Sequence, residues 1–148
     1  MLSFKALLLL VPTAMAARFG AVGVAVSDMA KSQAFYEKSL GLKAAGQVLV
    51  TSEFNETIMT IPGSGTGPAL VLMKYKSPKT TTDLPVKLVF YVDDMTATMS
   101  KMKEAGARVI NEPGSLKIRN VTLPTAFVKD PDGYSVELNP MSAFGKLP

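Results

Sequence analysis

The sequence predicts an α+β chain made of two copies of one β-α-β-β-β unit, and three observations carry that reading. Val26-Ser27-Asp28-Met29 recurs as Val92-Asp93-Asp94-Met95, an offset of 94 − 28 = 66 residues. Each tetrad leads into a stretch with apolar residues at helical spacing that stops at a glycine, Gly41 and Gly106, offset by 106 − 41 = 65. Each glycine is followed by three short runs of strand character.

In order along the first copy, Val22 to Val26 reads as a strand, Asp28 as a helix cap and Met29 to Leu40 as a helix. Gln47 to Thr51, Glu56 to Ile61 and Ala69 to Tyr75 read as strands. In the second copy Leu88 to Val92 is a strand, Asp94 a cap, and Met95 to Ala105 a helix whose Met95, Met99 and Met102 form one packing stripe. Arg108 to Ile110, Val121 to Val128 and Tyr134 to Leu138 complete it. Pro62 to Pro68 and Asp130-Pro131-Asp132-Gly133 supply hairpin chemistry, and Ser77 to Pro85 is the linker between copies. The glycine-rich run Gly63 to Gly67 lacks a following Lys-Ser/Thr and a helix, so it is a loop and not a phosphate cradle.

The N-terminus has its own grammar. Met1 to Lys5 is a short basic region, Ala6 to Val11 is apolar, and Ala14-Met15-Ala16 has the A-x-A cleavage pattern. Residues 1–16 therefore read as a secretory signal peptide, which implies a secreted or periplasmic protein. The alternative is a buried first strand or helix of the domain. A spanning helix is excluded by length and by Pro12. Residues 18–140 form a single domain of two modules, about 19–76 and 85–140, with 141–148 as a C-terminal tail. Asn55-Glu56-Thr57 and Asn120-Val121-Thr122 match the glycosylation triplet, which also arises by chance.

The chain has no Cys and no His, which excludes thiolate and imidazole catalysis, disulfides and Cys/His zinc sites. Its net charge of +4 is scattered singly, unlike a nucleic-acid face, and no segment reads as a membrane anchor. The expected partner is a small molecule, neutral or anionic.

Val26-Ser27-Asp28-Met29 leading to Phe35-Tyr36-Glu37-Lys38-Ser39-Leu40-Gly41-Leu42, together with Phe127 through Leu138 around Asp130-Pro131-Asp132-Gly133, resembles the vicinal-oxygen-chelate superfamily of glyoxalases, bleomycin-resistance proteins and extradiol dioxygenases. The resemblance covers roughly residues 20 to 140. It implies a glyoxalase-like fold, two modules whose mixed sheets curl into a cup, often completed by a homodimer, with a divalent metal on inward-facing strand side chains.

Counting back seven residues from Asp28 and Asp94 carries the family's first-strand ligands onto Ala21 and Lys87; the last-strand ligands fall on Leu72 and Glu137, related by 137 − 72 = 65. Alanine and leucine cannot donate to a metal and an ammonium repels one, so no metal and no cofactor are expected. Ala25 stands where glyoxalase I relatives usually carry an arginine, which counts against specific glutathione recognition.

What remains is Glu137 as a proton-shuttling base and Lys87 as an electrostatic clamp, the two candidate catalytic residues. The competing reading is an ion pair that neutralises a vestigial site. Tyr91, Leu72, Ala21, Ser135 and Phe127 are the candidate substrate contacts, with Asn139 on the face of Glu137. Three functional readings follow: a metal-independent lyase or isomerase on a small carbonyl compound; a non-catalytic binding or sequestration protein; and a lactoylglutathione lyase, which requires a different ligand register.

Overall fold

Val22, Val24 and Val26 alternate toward the core, and in the computed structural model, which describes residues 19–64, 67–77, 86–118 and 121–144, they belong to or flank β1 (Ala21–Ala25). The proposed signal peptide lies outside the described residues. Helix α1 (Met29–Leu40) begins at Asp28, whose carboxylate accepts from the Lys31 N–H at 3.1 Å. It ends where Gly41 adopts φ 71°, a left-handed turn that lets its N–H and that of Leu42 reach back to the last carbonyls. Ser32, Phe35, Tyr36 and Ser39 are its buried face, spaced as one helical stripe.

β2 (Lys43–Ala44), β3 (Leu49–Val50), β4 (Phe54–Thr60) and β5 (Ala69–Tyr75) complete the first module. The sheet runs β1-β5-β4-β2, with β3 also on β4; β1 and β5 are parallel. The second module repeats the scheme. β6 (Lys87–Val92), α2 (Met95–Glu104), β7 (Arg108–Ile118), β8 (Val121–Lys129) and β9 (Ser135–Pro140) form a sheet ordered β6-β9-β8-β7, with β6 and β9 parallel. A 3-10 turn, Met141–Ala143, follows.

Several boundaries differ from expectation, β4 beginning at Phe54 rather than Glu56 among them. The strand expected over Gln47 to Thr51 shrinks to Leu49–Val50, because the Thr51 hydroxyl accepts from the N–H groups of Glu53 and Phe54 and turns the chain. The strand expected over Arg108 to Ile110 continues to Ile118, with register shifts between Val109 and Asn111 and between Asn111 and Gly114 that absorb Pro113 and Gly114. β9 begins one residue late, since the Tyr134 N–H is held by the Asp130 carboxylate at 2.8 Å. Asn55 lies inside β4 with its amide oxygen buried, unlike an exposed glycosylation site; Asn120 lies outside the described residues.

Each sheet turns one face to the helices. Val24, Met59, Leu70 and Leu72 line that face in the first module, and Leu88, Val128, Val136 and Leu138 in the second, packed with Phe35, Tyr36, Met99 and Met102. The Asp130-to-Gly133 turn fastens the modules together. Asp132 accepts from the Ser27 N–H and hydroxyl at 2.7 and 2.6 Å and from the Ser32 hydroxyl at 2.5 Å, while Tyr134 donates to the Ala25 carbonyl at 2.9 Å. Among the described residues no helix is long and apolar enough to cross a membrane.

Candidate functional site

The opposite face of the second sheet packs against neither α1 nor α2, with the Met141–Ala143 turn against β6, and cross-strand register sets what it displays. Side chains directly opposite on paired strands point to one side. Lys87 is opposite Ser135, Val89 opposite Glu137, and Tyr91 opposite Asn139; Phe127 is opposite Glu137 and Lys129 opposite Ser135. The intervening positions fall on the other side: Leu88, Val128 and Val136 are buried beneath the helices.

At the centre of this face the Lys87 Nζ lies 2.6 Å from Glu137 Oε2. The other oxygen, Oε1, accepts from Asn139 Nδ2 at 3.2 Å and more distantly from the Thr125 hydroxyl at 3.4 Å. The carboxylate is therefore held by the Lys87 charge, without a hydrogen bond to its buried Oε2, and by Asn139, while the Thr125 hydroxyl lies closer to the Leu138 carbonyl, at 3.2 Å. The partners differ in exposure, however: the lysine side chain is 55% exposed and the glutamate side chain 14%. The carboxylate is largely buried and the ammonium open to solvent.

The expected contacts divide. Ser135, Phe127 and Tyr91 share the face of the pair, and the Tyr91 ring meets Phe144 edge-on at 5.0 Å. Ala21 lies on β1 in the other sheet, paired with Ala69 and exposed. Leu72 is a correction: it is 0% exposed in the core between β5 and α1, not on the open face. The reason is register. Glu137 pairs with Val89, two residues beyond Lys87, and the matching partner of Gly23, two beyond Ala21, is Val71. Counting by sequence offset missed by one residue, and one residue reverses a strand side chain.

Val71 and Met73 line the corresponding face of the first sheet. A Cβ at Gly23 would lie 2.8 Å from the Met73 Cε, the end of a flexible side chain that would have to move aside. One polar residue escaped the sequence reading: Lys129, two residues beyond Phe127 and so on the same face, donates to the Ser135 hydroxyl at 2.9 Å. Strand alternation from Phe127 would have found it.

A second polar group is buried and sealed. Tyr36 donates to Asp130 Oδ2 at 2.6 Å, and Oδ1 accepts from the Asp132 and Tyr134 N–H groups. Burial pushes the Asp130 carboxyl above the ordinary aspartate range, against the lowering effect of the Tyr36 and backbone hydrogen bonds. Burial, followed by the Asp130 charge, pushes the Tyr36 hydroxyl well up. These groups join the modules and face no opening.

The family model described as Glyoxalase/Bleomycin resistance protein/Dioxygenase superfamily matches residues 18–138. The chain belongs to this superfamily. Relatives in the glyoxalase superfamily include a probable lactoylglutathione lyase of Vibrio parahaemolyticus, 38% identical over 120 residues, spanning 76% of this chain and 83% of that one. The lactoylglutathione lyase of Escherichia coli is 32% identical over 76% of this chain and 84% of its own. In fold, glyoxalase I from Zea mays matches with a TM-score of 0.71 at 21% identity, over 82% of this chain and 44% of that one. TnmS3, an antibiotic-binding protein from a Streptomyces species, matches at 0.65 and 22%, over 85% and 97%.

The divalent metal implied by glyoxalase-superfamily membership does not fit the residues present. In the corrected register the four equivalent strand positions are Ala21, Val71, Lys87 and Glu137. They offer one carboxylate, and that is already paired with an ammonium. Among the described residues no three His, Cys, Asp or Glu side chains converge.

Proposed function

We propose that this glyoxalase-superfamily protein is a metal-independent lyase or isomerase acting on a small carbonyl compound, with Lys87 in place of the metal and Glu137 as the base. The observation that carries it is the 2.6 Å pair of a largely buried carboxylate and a solvent-exposed ammonium on the helix-free face. A partly exposed ion pair is worth only about 0–1 kcal/mol, so an incoming carbonyl oxygen can take the lysine from the glutamate. Glu137 Oε2, released, then accepts a proton from the carbon next to the carbonyl. The C–H electron pair becomes the C=C of an enolate, whose oxygen is stabilised by the Lys87 N–H. Return of the proton from Glu137 to the same carbon exchanges it with solvent; where that carbon bears a hydroxyl, return to the former carbonyl carbon, with the hydroxyl proton passing to the enolate oxygen, completes a 1,2-isomerisation with no net redox change.

The names of the curated relatives support lyase chemistry and make lactoylglutathione the first compound to test. The test is solvent-deuterium incorporation, followed by NMR, into that thioester and a panel of small 2- and 3-oxo compounds with chelator present. The expected result is incorporation by the wild type and its loss, by about 10²-fold or more, in Glu137→Gln. No incorporation into any of them by the wild type would contradict the enzyme.

One observation favours a second reading, non-catalytic binding: Glu137 is engaged by Lys87, Asn139 and Thr125 together, as a structural carboxylate would be. Under that reading wild type and Glu137→Gln bind the same ligand equally, without turnover.

A further inference from the structure

The second sheet carries a row of cations that the Lys87–Glu137 pair does not account for. Reading across the strands, Arg108 on β7 lies opposite Lys129 on β8, Lys129 opposite Ser135 on β9, and Ser135 opposite Lys87 on β6. All four share the helix-free face; the neighbours Val109, Val128, Val136 and Leu88 pack into the core. Like charges directly opposite on a sheet are destabilising, and Arg108 and Lys129 are such a pair. Among the described residues neither makes an ion pair; the two salt bridges there are Lys87–Glu137 and Lys103–Glu112. The row therefore holds 3 − 1 = +2 charges once Glu137 is counted. Breaking a local rule with no internal compensation points to a ligand that supplies it.

Resting on the proposed carbonyl chemistry of this face, we infer that Arg108, Lys129 and Ser135 form an oxyanion dock that selects substrates bearing a carboxylate. Lys129 donates to the Ser135 oxygen, which leaves the Ser135 proton free to point at an acceptor. Arg108 and Lys129 supply charged N–H donors from the adjoining strands. Ser135 and Glu137 are two residues apart on β9, which separates them by about 6.5–7 Å along the strand. The substrate class is thus an oxo acid whose carboxylate lies a few bonds from the reacting carbonyl. The anion is held by Arg108, Lys129 and Ser135 and the carbonyl by Lys87.

The test uses the intact chain and 4-oxopentanoate as probe, against its neutral methyl ester and inorganic phosphate, by calorimetry with NMR shifts at the Glu137 amide locating the ligand. The acid is expected to bind at least about tenfold more tightly than the ester. Lys129→Met should reduce it to the ester's affinity, with the ester unaffected, and Lys129→Arg should restore it to within about threefold. In a melting experiment the acid should raise the Tm of the wild type but not of Lys129→Met, a readout that also verifies that the variant folds. Equal binding of acid and ester, both shifting Glu137, would overturn the dock and leave the carbonyl reading standing. Binding of neither would overturn the dock, the carbonyl reading being decided by deuterium incorporation. Phosphate binding more tightly than the acid would overturn the carboxylate assignment.

Discussion

Val71 and Glu137 occupy equivalent places in the two modules, each opposite the third residue of the module's first strand, Gly23 and Val89. The equivalence makes Leu72 a core residue and Val71 an open-face residue, and the two should answer differently to the same change. Leu72→Glu buries a carboxylate with no partner and is expected to unfold the chain or cost well over about 3 kcal/mol. Val71→Glu can reach solvent and should cost about 1 kcal/mol or less. Urea denaturation of both variants checks this; equal losses would refute the register.

The junction between modules rests on hydroxyl groups. Tyr36→Phe leaves Asp130 Oδ2 buried without its 2.6 Å donor. The expected loss is about 1.5–3 kcal/mol, measured as a shift in the urea midpoint at constant m-value. A change below about 0.5 kcal/mol would show the bond to be incidental.

Asp130 gives the fold a pH dependence of known sign. Its folded carboxyl titrates above the ordinary value of 3.8, so the native state holds this proton more tightly than the unfolded chain. The contribution is fully present below the unfolded pKa and is lost as pH rises through the folded one. The stability of the wild type minus that of Asp130→Asn should therefore fall as pH climbs from 3.8 into the range just above. A difference that rises over that window would reverse the assignment.

How much of this was legible in the sequence follows from which interactions are local. Asp28, Gly41 and the Met95, Met99, Met102 stripe act within a few residues, and both helices and their N-caps fall where the sequence puts them, α2 closing one residue early at Glu104. The duplicated tetrads revealed the topology for the same reason. Register is not local. The Val71–Gly23 pairing is set across strands 48 residues apart in sequence, 71 − 23 = 48, and an offset of 65 in place of 66 was enough to select Leu72. Arg108 was out of reach because the shifts around Asn111 and Gly114 decide what it faces. The roles of Asp130 and Asp132 were hidden too: as turn residues they looked sufficient, whereas their carboxylates reach helix α1 about a hundred residues away.

In the proposed chemistry an ammonium at Lys87 does the work that a divalent metal does in metal-using members of the superfamily. The most direct test is the divalent-metal content of the full chain, purified after growth with nickel, zinc, manganese and iron, measured by plasma mass spectrometry alongside deuterium incorporation before and after chelation. The prediction is far less than one ion per chain, incorporation indifferent to chelator, and its loss in Lys87→Ala. One tightly held divalent ion per chain, whose removal abolishes incorporation and whose return restores it, would contradict that claim.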